Sequence, residues 1–232
     1  ANDLAHELGL SADWDEVQNL LDRKQHDWMD ILDVNGMRFS TVGGIGVGSI
    51  FTQEFNQKRQ QSAVYRTLAQ FFHYQFYTLL SAKTILLKNN YMHHLRIRGS
   101  GFDEKIRTPA VFFCNQAYIG GNVKVAPQID NTDKRFNVLV ITRHSKVGLL
   151  RDMAQSKAGR LPSHAVVFST DFLEITDLDH RPLTVFGDGE TLLESSKLEI
   201  KVLPKSLCVY RNFRRNFGRD VGHSMPQRGL SA

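Results

Sequence analysis

Glu190 stands at the exit of FGDGET, residues 186–191, the short motif in this chain whose residue types best suit chemistry. Leu183 to Phe186 reads as a strand, and Gly187-Asp188-Gly189 as a tight turn. Glycines on both sides of Asp188 allow positive φ and let another backbone or a phosphate group approach closely. An ordinary hairpin turn explains the same residues, so the motif alone leaves both readings open. A pair of carboxylates, Asp130 and Asp133, lies in the loop APQIDNTD that follows Gly120-Gly121. Carboxylates and loop carbonyls at such spacing suit Mg2+, a hard cation that takes oxygen ligands. A solvated polar loop is the plainer alternative. GGIGVGS, residues 43–49, invites a dinucleotide reading. That fingerprint needs an acidic residue further on, and Arg59 through Gln75 supply none; no βαβ repeat surrounds it either. Close backbone packing at a strand end accounts for these glycines. The histidines form no HExxH and pair with no cysteines, and His93-His94 are strand neighbours that point to opposite faces. No GxSxG elbow is present for an acyl-transfer serine.

The elements that must position these residues are mostly strands. Leu4, Leu8, Val17, Leu20 and Leu21 recur at helical spacing between Asn2 and Asp22, with Gly9 as a break and Ser11 and Asp13 as caps for a second helix. MDILDVNGMRFSTV predicts two strands around an Asn35-Gly36 turn. Residues 54–88 form the longest helix candidate, with an apolar face that includes Phe55, Val64, Leu68, Phe72, Phe76 and Leu79. HHLRIRGS, TPAVFFCNQ, FNVLVIT, HAVVFST, DFLEITDL, LTVFGDGET and LEIKVLP then read as strands, with SKVGLLRDMAQSK a short helix among them. Closely spaced strands with turn signals between them predict a β-rich, sandwich-like domain in an α+β chain.

The length, 232 residues, allows one large domain or one and a half. A 41% hydrophobic and 23% charged composition excludes a largely disordered chain. Apolar stretches break well before the ~20 residues of a membrane span. The opening ANDLAHELG shows no basic n-region and no apolar h-region, so no signal peptide is expected. Two cysteines, Cys114 and Cys208, exclude a disulfide scaffold and point to reduced thiols in a cytosolic protein. The net charge is +5, and residues 207–232 hold Arg211, Arg214, Arg215, Arg219 and Arg228 against Asp220 alone. The rest of the chain is nearly neutral and offers no extended basic face, so nucleic acid is not an expected partner.

As an ordered set, the motifs resemble the catalytic region of the diacylglycerol kinase and sphingosine kinase group of lipid kinases, most of all the soluble bacterial-type members. ANDLAHELGL resembles the family segment GTANDLARxLG, beginning after its Gly-Thr. MDILDVNGMRFSTVGGIGVGS resembles the aspartate-containing strand and the small-residue segment. CNQAYIGGNVKVAP resembles the NxxxxGGGxxiaP loop, and DNTDKRFNV the segment that usually reads xxDDGxLDV. FGDGET resembles the DGE box, and LEIKVLPKSLCVY the strands after it. Gly48 stands where the family commonly has Asp, His6 where it has Arg, and Lys134 where it has Gly, so that last turn is expected to differ in detail. Nothing resembles the family's upstream GGDGT nucleotide loop, and a chain without its N-terminal nucleotide-binding part is the expectation.

The resemblance implies a two-domain lipid kinase. Residues 1–30 would close an α/β nucleotide-binding domain, 31–206 would form the lipid-substrate domain, and 207–232 a basic tail. It implies ATP and Mg2+ as cofactors and transfer of the γ-phosphate to a lipid hydroxyl, diacylglycerol-like, at a membrane surface. Glu190 would be the general base, with Asp188 beside it in the box. Asp3 and Asp30 resemble two aspartates of a network near nucleotide and metal; Asn2, Asp3 and Gly189 would face the nucleotide. Asp133, with backbone oxygens of Asp130 and Arg135, resembles a structural Mg2+ site. The aromatic run at Phe71–Tyr77 would line an acyl-chain groove or pack on the β-domain. The arginine tail would touch anionic lipid, which places the protein in the cytoplasm, peripheral at the membrane, and a homodimer is compatible. The missing loop suggests the alternative of a non-catalytic lipid-binding or regulatory fragment. Exposed apolar surface is expected on residues 1–30.

Overall fold

Asn35 and Gly36 take φ values of 49° and 89° and close the hairpin between β1 (His26–Val34) and β2 (Met37–Phe39). Positive φ at both central residues is what a two-residue hairpin turn demands. The structure is a computed structural model. It describes residues 3–10, 13–24, 26–61, 82–87, 91–120, 123–127, 129–142 and 145–212. Before the hairpin come α1 (Asp3–Glu7) and α2 (Trp14–Asp22). The Asp13 carboxylate accepts from the Asp15 N–H at 2.9 Å and caps α2, as its position predicts. Gly9, at φ 71°, breaks the two helices.

After the hairpin the chain runs through β3 (Val42–Gly46) into α3 (Val47–Gln61). Residues 82–87 are again helical. The long helix therefore starts at Val47 rather than 54, because Gly46, at φ 81°, turns strand directly into helix. Residues 62–81, and with them Phe71–Tyr77, lie outside the described residues. The remaining elements follow in order: β4 (His93–Gly99), β5 (Phe102–Thr108), β6 (Ala110–Cys114), β7 (Tyr118–Ile119), β8 (Val123–Lys124), β9 (Phe136–Ile141), α4 (Lys146–Lys157), β10 (Ala165–Thr170), β11 (Phe172–Asp177), β12 (Leu183–Gly187), β13 (Glu190–Ser195) and β14 (Lys197–Tyr210).

Among the described residues the strands form two six-stranded sheets, ordered β2-β1-β14-β11-β4-β5 and β10-β9-β6-β3-β12-β13, plus the small β7-β8 pair. The pairings are antiparallel. The two large sheets face each other across one apolar core that includes Leu95, Ile97, Phe113, Val138, Ile175 and Ile200, each fully buried. Burying such a side chain stabilises the fold by about 1.5–3 kcal/mol. The second sheet is apolar on its outer face too: Val42, Cys114, Leu139 and Ile141 pack under Leu149 of α4 and Ile85. That explains why β6 and β9 read as continuous apolar runs while β4 and β11 alternate. The architecture is the expected α+β, β-rich sandwich.

The boundaries expected at residues 30 and 206 fall inside strands, since β1 begins at His26 and β14 runs to Tyr210. Among the described residues the far end of β14 pairs with β1 alone, Trp28 lying opposite Cys208 and His26 opposite Tyr210. Trp14, Leu21 and Trp28 are exposed, whereas Leu8 and Leu20 are buried, so the apolar surface expected on residues 1–30 is partial.

Candidate functional site

The FGDGET turn is a built structure whose two acidic residues do different things. Asp188 takes φ 51° and Gly189 φ 81°. The Asp188 carboxylate points back across the sheet, to the loop between β2 and β3. Oδ2 accepts from the Ser40 N–H at 2.9 Å and the Ser40 hydroxyl at 3.0 Å; Oδ1 accepts from the Thr41 N–H at 2.8 Å and from the Thr41 hydroxyl. A carboxylate with four donors is fully engaged. Its geometry fits holding the turn in place better than touching a substrate. Gly187 is needed beneath it, because a Cβ there would sit 2.7 Å from Leu192 Cδ1 and 2.8 Å from the Phe39 ring.

Glu190 points the other way, toward α3. Its Oε2 accepts from Asn56 Nδ2 at 2.9 Å and its Oε1 from Arg59 Nη2 at 3.2 Å. Asn56 also donates to the Gly189 carbonyl at 3.0 Å. The glutamate side chain stays 62% exposed, open to an incoming molecule.

Asp30 is wholly buried and sits at an irregularity in β1, where the pairing with β14 jumps from Met29–Leu207 to Ile31–Leu203. Its Oδ1 accepts from the Lys205 N–H at 2.8 Å and its Oδ2 from the Lys134 N–H at 2.7 Å. Both donors belong to left-handed residues, Lys205 at φ 47° and Lys134 at φ 62°. Lys134 thus adopts the backbone region that favours glycine, so the turn keeps a glycine-like shape with a lysine in it. Asn115 joins this aspartate to the turn: its Nδ2 donates to the Asp30 carbonyl at 2.8 Å and to the Ser40 carbonyl at 2.9 Å. Hydrogen bonds therefore run from Asp30 through Asn115 and Ser40 to Asp188. The Asn115 Oδ1 is buried with no partner among the described residues.

Beside Asp30, the Asp130 carboxylate accepts from the N–H and hydroxyl of Thr132, and Asp133 Oδ1 accepts from the Arg135 N–H at 2.9 Å. Burial pushes the Asp133 carboxyl above its ordinary value; the Arg135 N–H opposes this, and the charges of Asp130 and Asp30 add to it. A carboxylate with loop carbonyls is the kind of oxygen donor that Mg2+ takes while keeping several waters, and here the Asp133 carboxylate would be that donor. No group of three or more His, Cys, Asp or Glu able to hold a metal occurs among the described residues. The Arg135 side chain is turned away, with Nη2 on the Ser169 carbonyl at 2.6 Å.

Asp3 opens α1, whose end is tied to the far end of β14 by the Asn212 N–H on the Leu8 carbonyl at 2.9 Å. Asn2 and the tail from residue 213 lie outside the described residues. Arg211 is committed internally: Nη2 donates to Asn131 Oδ1 at 2.6 Å and Nε lies 3.6 Å from Asp27. GGIGVGS is packing, as expected. A Cβ on Gly44 would stand 2.4 Å from the Val111 carbonyl oxygen, and one on Gly48 2.7 Å from Phe186 Cε1. Sequence reasoning missed Ser40, Thr41, Asn56, Arg59 and Lys205. Each acts through a contact distant in the chain, although Ser40-Thr41, following a strong hairpin, was a place to look.

The site is thus a carboxylate presented from a glycine turn at the edge of an antiparallel sandwich, beside a buried aspartate network. Residues 58–211 match the family described as the YegS C-terminal NAD kinase beta sandwich-like domain. The match covers more than half of the chain, and the chain belongs to that family. Three solved structures from Bacillus anthracis str. Sterne, named diacylglycerol kinases and provisionally so in two cases, share the fold. They superpose with TM-scores of 0.68, 0.63 and 0.65 at 17%, 14% and 17% identity. They cover 92%, 92% and 91% of this chain, and the chain spans 67%, 64% and 66% of theirs, about two thirds of their length. No curated protein matches the sequence significantly.

Proposed function

We propose that this chain is the lipid-side, base-supplying part of an ATP- and Mg2+-dependent lipid kinase that phosphorylates a diacylglycerol-like hydroxyl. Family membership and the kinase-type fold support the class. The observation that carries the reading is Glu190: a half-open carboxylate on a rigid turn, held by side chains from another element. A lipid hydroxyl is a weak acid, so a positioned base must take its proton as the oxygen attacks phosphorus. Glu190 accepts that proton on a carboxylate oxygen, and Gly189, bare of side chain, leaves room for the alcohol beside it. Asp188 keeps the turn in register through Ser40 and Thr41. Asp30 fixes the backbones at Lys134 and Lys205 that flank the site. Asp133, with the backbone oxygens of Asp130 and Arg135, would hold Mg2+, which supplies charge neutralisation when bound. Asn2 and Asp3 would lie on the nucleotide side, in a domain that the residues before β1 help to complete. The protein would work peripherally at the cytoplasmic membrane surface, with arginines of the tail beyond Arg211 against anionic lipid. No helix among the described residues is long and apolar enough to cross a membrane.

The test uses the complete protein that carries this chain, with ATP, Mg2+ and a panel of neutral and anionic lipids bearing a free hydroxyl. Glu190→Gln is expected to lower kcat by about 100-fold or more, in line with the loss of a general base. Wild-type rates in that variant would remove Glu190 from the mechanism.

A further inference from the structure

We propose that Asn56 and Arg59 of α3 are the positioning residues of Glu190, so that α3 sets the orientation of the base. The inference rests on the reading of Glu190 as base and extends it to two residues of α3 that lie outside the segments matched to the family above. An exposed glutamate after a turn samples many rotamers, and a base works only in the geometry that reaches its proton. Here both carboxylate oxygens are taken by donors from one helix face. Residues 56 and 59 are three apart, so α3 presents them side by side. Asn56 grips two points at once, the carboxylate of Glu190 and the carbonyl of Gly189. It therefore fixes the backbone that carries the glutamate as well as its tip. Arg59 is itself steadied, its guanidinium lying 5.9 Å from the centre of the buried Phe55 ring.

An isolated surface ion pair would orient little. This one is anchored at both ends of the helix. At the start of α3, Gly48 packs so tightly on Phe186 that a Cβ would lie 2.7 Å from the ring. Phe186 is the residue before the Gly187-Asp188-Gly189 turn. The helix thus touches the strand just before the turn and grips the residues just after it. Two other acidic side chains of β12, β13 and the turn between them are occupied elsewhere: Asp188 on Ser40 and Thr41, Glu194 on the Thr184 hydroxyl.

The experiment is a mutant cycle on kcat in the complete protein. Arg59→Met and Asn56→Leu are each made alone and in combination with Glu190→Gln. The expected result is a fall in kcat of about tenfold in each single variant, with the KM for ATP unchanged. Arg59→Lys should keep at least half of the rate. In the Glu190→Gln background neither change should lower the residual rate more than twofold, because residues that act through one group are not additive. Additive losses, or single variants with wild-type kcat, overturn the positioning role while Glu190 stands. A wild-type protein that phosphorylates no lipid overturns the functional reading and this inference with it. A loss confined to the KM for lipid assigns the two side chains to substrate contact and also overturns it.

Discussion

At the scale of single residues, buried charge decides what is structural. Asp30 satisfies two backbone N–H groups that no regular strand pairing reaches. Asp30→Ala leaves two part-buried N–H donors without their acceptor, and a cost of about 1–3 kcal/mol is expected. Asp30→Asn, which keeps an acceptor oxygen, should cost less; urea unfolding of the two variants checks the order. His93 gives a pH dependence. Its Nδ1 lies 3.3 Å from Asp177, with Arg181 and Asp179 at the same cluster. Burial lowers the His93 pKa from its ordinary 6.5 despite the hydrogen bond to Asp177. A folded-state pKa below the unfolded one stabilises the fold above pH ~6.5 and loses that contribution as pH falls through the folded value. For Asp177, burial works upward but is outweighed by the N–H of Arg181, the His93 bond and the N–H of Asp179, so its pKa is lowered. Its contribution is lost only on deeper acidification, below the ordinary 3.8. Thermal unfolding should therefore show Tm falling between pH 7 and 5, and His93→Gln should flatten that limb. An unchanged slope in the variant would show that another group titrates there.

At the scale of elements, most of the fold was legible. The Asn35-Gly36 hairpin, β4, β6, β9, β11 and β12 follow alternation or apolar runs that match their burial. β5, FDEKIRT, was not legible, because an edge strand with one covered face carries charges along the other, and charge hides the period. β13 was hidden for a similar reason: Glu190 and Glu194 flank a short apolar pair on the other edge. The start of α3 was misplaced because glycines at 46 and 48 signal a loop, while their actual use is close packing. Gly48 also has a consequence for the family comparison. The aspartate common at that position cannot enter here unless Phe186 moves. Gly48→Ala is expected to cost about 1–3 kcal/mol by overpacking, and Gly48→Asp more, both read from the unfolding midpoint. A neutral Gly48→Ala would mean that the Phe186 ring yields freely.

At the scale of the molecule, the candidate site is assembled from contacts that span most of the chain. Asp188 reaches residues 148 and 147 positions away, and Asp30 reaches Lys205 across 175. The acidic half of the site was legible because its motifs are short and ordered; the donors that hold it were not, since their identity depends on which strands end side by side. The long β14 divides into two parts. Lys197–Lys201 pairs on both sides, with β1 or its turn and with β11, whereas among the described residues Leu207–Tyr210 pairs with β1 alone. Hydrogen exchange should be about tenfold faster at residues 207–210 than at 198–201; equal protection would show that the arm is covered. That arm also decides what an optical measurement of this protein sees. The two tryptophans, Trp14 and Trp28, are 71% and 47% exposed, and neither belongs to the core between the sheets. Cys208, opposite Trp28, is an open thiol, while Cys114 is buried. Indole emission and alkylation therefore report on the arm and α2 and are blind to the sandwich. A macromolecule or bilayer that settles on the arm would announce itself as a blue shift and a protected thiol, with no unfolding at all.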